Sequence, residues 1–363
     1  MSLPLDTRFE TLHEFVKRAR ANLDRNIWDY LIGGAETETS VARNRLALDC
    51  LGFRPRVLRD VREIDMSGSL FGKKLRLPVL LAPVGSLQAF EPAGGATALR
   101  AAAEFGIGMI LSSASEPGLE ATAAAAPQGF KIFQLYVRGE REWVADHFRR
   151  AALAGYDAFC LTVDSDYYGR RERDIAKRHR RGPQSHETLR LQQALDWADV
   201  ERFKKEFAIP LILKGIATCE DARRALDLGV DCIYVSNHGG RQLDHGLGTI
   251  DILPEIVETV GGRAKVIVDG GICRGSDVVK AMALGADAVA VGRLYLYGLA
   301  AAGGAGVVRL LEILENEIRI VLGLLGVTSF SALDKSYVAP ARPTATPHVL
   351  SAFPLLDLPR EGY

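Results

Sequence analysis

The sequence has no excess charge of either sign: 45 Lys and Arg balance 45 Asp and Glu, for a net charge of zero. Without a global basic field nothing holds a polyanion, so nucleic acid is not an expected partner. Cysteine is sparse and unpatterned. Cys50, Cys160, Cys219, Cys232 and Cys273 are odd in number and form no CxxC pair, which argues against a disulfide framework and for a reducing, cytoplasmic setting. Long hydrophobic runs are missing as well. The longest candidate, around Ile318 to Val327, is about half of the ~18 apolar residues that a membrane span needs. Asp6, Arg8 and Glu10 stand where a secretory signal would be apolar, and the last four residues, Arg-Glu-Gly-Tyr, are no peroxisomal address. What remains is an ordinary globular composition, 48% hydrophobic and 25% charged over 363 residues, which excludes disorder, collagen-like fibre and coiled coil.

Against that background a regular alternation begins at residue 78. Eight short apolar runs, PVLLAP (78–83), GMILSS (108–113), FKIFQLY (130–136), AFCLTVD (158–164), PLILKG (210–215), DCIYVSN (231–237), KVIVDGG (265–271) and DAVAVGR (287–293), each end in a polar or glycine turn. That is how a buried parallel strand reads. Helical patterns lie between them at 95–106, 141–155, 219–229 and 275–285, several closed by a glycine. Eight βα units predict an α/β fold of the (β/α)8 TIM barrel type. An open doubly wound sheet fits less well, because no GxGxxG follows the first strand. One domain over 1–363 is expected: a helical lead-in over 1–77 capping one end, the barrel over 78–331, and a Pro-rich surface tail over 332–363. Residues 303–331 read as the eighth helix plus a short extra one.

One connection is long. Forty-five residues separate Asp164 from Pro210, and seven Lys or Arg lie between Arg170 and Arg181. A solvated charged face is one reading; a lid or an anion-attracting mouth on the catalytic side is the other.

A barrel carries its chemistry at the C-terminal ends of the strands. Those positions hold Gln134 and Tyr136, Thr162 and Asp164, Lys214, Ser236 to Arg241, Asp269 to Gly271, and Gly292 with Arg293. Bare glycine backbone plus Arg293 after the last two strands suits a phosphate. His238 in a Gly-hinged loop, with Asp164 ending another strand, suits a general base, and Arg241 suits a substrate carboxylate. Lys214 is the only charge in its strand; it must face the mouth, as a Schiff-base lysine or as a stabiliser of an anion on a bound ring.

SNHGGRQLD (236–244), with LKGI upstream and VDGGICRGSDVVKAMALGADAVAVGR downstream, resembles the FMN-dependent α-hydroxy acid oxidases and dehydrogenases, the family of glycolate oxidase, lactate oxidase and mandelate dehydrogenase. The resemblance runs from about Asp29 to about Leu325. It implies FMN as cofactor, oxidation of an L-α-hydroxy acid to the 2-oxo acid, O2 or another acceptor for the electrons, and a homotetramer. It further implies that His238 is the base, with Asp164 behind it. Arg241, Arg171 and the Tyr30 hydroxyl would hold the substrate carboxylate, and Tyr136 the substrate hydroxyl. The flavin would lie against Ala82, Pro83, Val84 and Gly85, with Ser112, Gln134, Thr162 and Lys214 around its ring and Ser236 close by. Asp269 would meet the ribityl chain, and Gly270, Gly271, Gly292 and Arg293 the phosphate. Whether the Cα hydrogen leaves as proton or hydride stays open.

Three departures from the family pattern matter. Cys273 stands where an Arg usually follows DGG-x, with Arg274 next, and this removes one phosphate contact. The loop after the fourth strand is truncated relative to glycolate oxidase and is basic where membrane-docking relatives carry an apolar anchor. Ala114 replaces a bulky aromatic, which makes room for a larger substrate. Gly85 stands where oxidases often carry Ala, yet no anchor or haem domain is present to take electrons, which leans towards oxidase. Two other readings remain: a family member acting on a larger biosynthetic, peptide- or carrier-bound substrate, and a barrel isomerase of a phosphate-bearing substrate.

Overall fold

The protein is described by a computed structural model covering residues 4–179 and 186–357. Eight parallel strands form a closed barrel: β1 (Val79–Leu81), β2 (Gly108–Ser112), β3 (Lys131–Leu135), β4 (Ala158–Thr162), β5 (Leu211–Ile216), β6 (Cys232–Val235), β7 (Lys265–Val268) and β8 (Ala288–Val291). They pair in chain order, and β8 closes onto β1 in the register Val289↔Val79, Ala290↔Leu80, Val291↔Leu81. The barrel expected from the alternation is the barrel that forms.

Strand side chains alternate between two cores, as a period of two requires. Ile110, Ile132, Cys160, Ile212, Cys232 and Ile267 fill the barrel interior, while Leu111, Phe133, Leu161, Leu213, Ile233 and Val268 pack outwards against the helices. A hairpin of Gly68–Leu70 and Lys73–Leu75 adds Leu70 and Leu75 to the interior cluster.

The eighth helical region differs from expectation. The helix begins directly after β8 and runs Arg293–Leu325, broken at Ala302 and Gly303 (φ +62°), so its first half lies in a segment the sequence reading left open. Tyr295, Tyr297, Leu310 and Leu314 on it are fully buried. It is the one described helix long and apolar enough to cross a membrane, but here it is a core helix packed on Leu12–Asn22 and Gly95–Phe105.

The segment after Ala339 is not a bare surface tail. Val338–Pro340 pairs antiparallel with Leu51–Phe53, and Phe353 is fully buried, edge-on to Tyr297 and His13 at 5.9 and 5.8 Å. Proline density reads as surface, but one large apolar residue suffices to dock a short segment.

A buried ion pair fixes the lead-in to the barrel. Arg45, on the helix Thr39–Asp49, meets Asp277 through two hydrogen bonds of 2.7 and 2.8 Å. Asp277 also accepts from the backbone N–H groups of Cys273 and Arg274, at 2.9 and 3.0 Å. Removing one partner strands a charge in the interior. Asp277→Ala is therefore expected to cost about 3–5 kcal/mol, read as a lower midpoint in urea unfolding; an unchanged midpoint would show that the pair contributes nothing to docking.

Candidate active site

The two-residue period that fills the barrel also places the site. Continuing the inward positions along each strand past its apolar part leads to Ala82, Ser112, Gln134, Thr162, Lys214 and Asp269, all buried. Above them opens a cavity of about 770 Å³ at the C-terminal face. Fifteen of the residues expected at the site line it, among them Tyr30, Tyr136, Arg171, His238 and Arg241 at one end and Gly270, Gly271, Gly292 and Arg293 at the other. The remaining five do not reach the lining: Ser112, Gln134, Thr162 and Ser236 lie beneath it, and Asp164 lies behind His238.

His238 sits at φ +59°, followed by Gly239 and Gly240 at +64° and +73°, so three successive left-handed residues turn the imidazole back over the barrel. Its N–H donates to Ser236 Oγ at 3.1 Å, which gives Ser236 a role in the loop. The ring bridges two partners. Nδ1 lies 3.0 Å from Asp164 Oδ1, and Nε2 lies 3.1 Å from the Tyr136 hydroxyl. Asp164 can approach only because residue 215 is glycine; a Cβ there would fall 2.6 Å from that of Asp164. Burial, and then the Lys214 ammonium, push the His238 pKa below its ordinary value despite Asp164. Burial would raise Asp164, but the His238 and Lys214 charges outweigh it and hold the carboxyl down. The result at neutral pH is an ionised Asp164 accepting from Nδ1–H, with Nε2 free to take a proton.

Two guanidinium groups face this imidazole. Arg241 Nη1 donates to the carbonyls of Tyr30 and Gly33 at 2.7 Å each, while Nη2 is buried with no partner. Arg171 lies over the Tyr168 ring at 4.1 Å and donates to its hydroxyl, and its buried Nε has no partner among the described residues. Burial and the adjacent Arg171 push Arg241 down to about 9, so it is still charged at neutral pH. Uncompensated buried charge of this kind is costly, and an anion placed between the two groups would relieve it.

The basic run is largely taken up by ion pairs within the protein. Arg170 pairs with Glu172, Arg173 with Glu38 and Asp29, and Lys177 with Asp29, tying the loop to the lead-in. Of the described members only Arg171 lines the cavity; Arg180 and Arg181 lie outside the described residues. The helix His186–Gln193 closes the mouth through Gln192, which accepts from Val137 N–H at 2.7 Å and donates to the Thr162 carbonyl at 3.1 Å.

Four contributors escaped the sequence reading: Tyr168, Gln192, Asn44 and Arg45. The first two sit in the long connection, where no periodic pattern points inward. Asn44 and Arg45 are buried polar residues on the helix Thr39–Asp49, whose sequence has no apolar face to point them inward; Asn44 exchanges two amide hydrogen bonds with Asn237, at 2.9 and 2.8 Å.

The site fits a flavin mononucleotide. Among the described residues Gln134 Oε1 and Asp269 Oδ1 are buried acceptors without partners, suited to a ring N–H and a ribityl hydroxyl. The Lys214 ammonium makes no hydrogen bond among the described residues and stands over the Tyr234 ring. A Cβ on Gly271 (φ +77°) would lie 2.9 Å from Asn44 backbone, so only bare backbone fits the phosphate end.

Comparison with known proteins agrees. The family model of FMN-dependent dehydrogenases matches residues 19–340. This chain belongs to that family. Among its relatives, L-lactate oxidase of Nostoc sp. is 38% identical over 354 residues, covering 90% of this chain and 97% of the relative. A peroxisomal (S)-2-hydroxy-acid oxidase of Oryza sativa subsp. japonica is 40% identical, covering 93% and 96%. A crystal structure of mandelate oxidase with (S)-2-phenylpropionate superposes with a TM-score of 0.85 at 39% identity, covering 93% of this chain and all of the other. FMN is therefore the cofactor, and the fold is the family's barrel.

Two outcomes follow from the geometry. His238→Gln is expected to retain FMN but lose nearly all substrate-driven flavin reduction, on the order of 10²–10⁴-fold, in anaerobic stopped-flow; reduction at the parental rate would remove His238 from the chemistry. Because the imidazole must be neutral to accept a proton and its pKa is lowered, kcat/KM is expected to rise with pH below 6.5 and to be flat above it. An acid limb centred above pH 7 would contradict that assignment.

Proposed function

We propose that this protein oxidises a bulky L-α-hydroxy acid, of mandelate's size or larger, to the 2-oxo acid and passes the electrons to O2. The observation that carries the reaction class is the Tyr136–His238–Asp164 chain set against two buried guanidinium groups with unused N–H donors. Arg171 and Arg241 receive the substrate carboxylate, and that anchoring brings the hydroxyl to Tyr136 and His238. His238 Nε2 accepts a proton, from the hydroxyl if the Cα hydrogen leaves as hydride and from Cα if it leaves as proton. Asp164 stabilises the imidazolium that forms and keeps the ring in its tautomer. Lys214, Gln134 and the backbone from Ala82 to Gly85 would hold the FMN ring, which when bound supplies the two-electron acceptor. The barrel isomerase reading accounts for the phosphate end but not for the paired arginines beside Tyr136 and His238.

The wall formed by Gly85 and Ala114 bears on substrate size. Ala114 and Gly85 both line the cavity, and a Cβ on Gly85 would lie 3.3 Å from that of Ala114, so two minimal side chains leave this side open. The mandelate oxidase likeness supports the same reading, and the oxidase relatives support O2 as acceptor.

Anaerobic titration with a panel of L-hydroxy acids, followed by admission of air, tests both points. Mandelate-sized acids are expected to bleach the flavin at higher kcat/KM than glycolate or lactate, and air to restore the colour. Ala114→Phe is expected to lower kcat/KM for the aromatic acid about tenfold or more while sparing lactate. A parental enzyme that prefers glycolate or lactate would sink the size argument, and a reduced flavin indifferent to air would sink the oxidase one.

A further inference from the structure

The phosphate end of the cavity is short of side-chain hydrogen-bond donors. Arg45 lines it, but its guanidinium is fully occupied: Nη1 serves Asp277 and the Gly271 carbonyl, Nη2 serves Asp277 and Asp49, and Nε serves Asp49. Arg274 does not line the cavity; it pairs with Glu317 at 2.5 Å. Cys273 does line it, yet brings only a buried thiol, a weak donor without charge. Arg293 donates once from each of its three nitrogens, to the carbonyls of Leu31, Gly239 and Gly33, which leaves one N–H on each Nη. A phosphate monoester carries close to two negative charges and three acceptor oxygens, and beyond the neutral backbone N–H groups of the glycine turns only these two side-chain N–H groups meet them.

A further donor arrives from the other end of the chain. His348 and Val349 line the same cavity, carried there by the docked tail. The tail is held beside the 272–274 segment by Phe353 edge-on to Tyr297 and by Arg274 Nη1, 3.5 Å from the Ala352 carbonyl. His348 is fixed by its own turn. Its N–H donates to Ser351 Oγ at 3.1 Å, and its carbonyl accepts from Ser351 N–H at 3.0 Å. Its Nδ1 accepts from Leu350 N–H at 3.3 Å, so the neutral ring carries its proton on Nε2. An imidazole whose other nitrogen is held in this way is a preset donor at the cavity wall.

We propose that His348 Nε2–H is a ligand of the FMN phosphate, supplied by the C-terminal tail where Cys273 offers no cationic donor. The inference rests on FMN as the cofactor. It makes the tail part of the cofactor site, and it separates recognition of the phosphate from recognition of the ring.

The test uses the full-length protein freed of flavin and titrated with FMN and, separately, with riboflavin, which has no phosphate; quenching of flavin fluorescence gives both affinities. In His348→Ala, FMN binding is expected to weaken about tenfold or more while riboflavin binding stays within about twofold of the parental value. His348→Gln, which keeps a side-chain N–H, is expected to lose less than the Ala variant. Unchanged FMN affinity in His348→Ala, equal weakening of FMN and riboflavin, or a Gln variant as weak as Ala would each overturn the assignment. A parental protein that binds neither flavin would instead overturn the cofactor reading, and that outcome is distinct because it needs no variant.

Discussion

Closure of the barrel by pairing Ala288–Val291 with Val79–Leu81 is the constraint from which the site follows. Once the ring is closed, each strand has one face inside and one outside, and the inside can hold only a few layers of side chains. Isoleucines, cysteines and small residues fill the lower layers. At the top layer the next inward residue is polar in strand after strand, as at Gln134, Thr162, Lys214 and Asp269. A polar ring there costs little because the cavity above admits ligand and solvent, whereas the same residues one layer lower would be buried without partners.

Charge then organises the upper end. Lys214, Arg171, Arg241 and Arg293 all line one cavity, and the carboxylate closest to the chemistry, Asp164, is engaged behind His238. Like charges so close raise the free energy of the empty site, and burial adds to it, as the lowered values of Arg241 and Arg293 record. A site of this kind is complementary to anions at two separate places: a carboxylate beside His238 and a phosphate beside Gly271. Burial, and then the Lys214 charge, outweigh Asp164 and keep the imidazole neutral until a proton is delivered to it by substrate.

Much of this was legible from residue order alone. The alternation of apolar runs and helices carries the barrel, since parallel strands buried on both faces leave an unmistakable pattern. The SNHGGRQLD run carries His238 and Arg241, because a strand end followed by glycines is a local feature. What stayed hidden depends on contacts between distant segments. Tyr168 stacks on Arg171 only after the long connection folds back, and Gln192 enters the site from a helix whose pattern is polar. The basic run reads either as a solvated face or as an anion-attracting mouth, and three of its charges are met by Asp29, Glu38 and Glu172, two of which lie over a hundred residues upstream. The tail read as surface because proline density is a local signal, while the burial of Phe353 is a tertiary one.

The two chain ends therefore share a task that the barrel cannot perform. A barrel of eight short units offers strand ends and turns, all anchored from below, and leaves its mouth open. The lead-in covers one side: Tyr30 lies against Gly85, and the Asn44–Asn237 amide pair braces the loop that carries His238. The tail covers another, with Phe353 locking it on Tyr297 of the helix that starts at the phosphate end. The lead-in is packed into the helical core through Phe15, Trp28 and Leu31, while the tail is held by the pairing of Val338–Pro340 with Leu51–Phe53 and by Phe353, so of the two covers the tail has the smaller buried anchor. Both contribute to the cavity wall, through Tyr30 and Asn44 on one side and His348 and Val349 on the other, so displacing either admits water. A wet cavity weakens every electrostatic contact on which the proposed chemistry relies, because interactions between charges fall as the local dielectric rises.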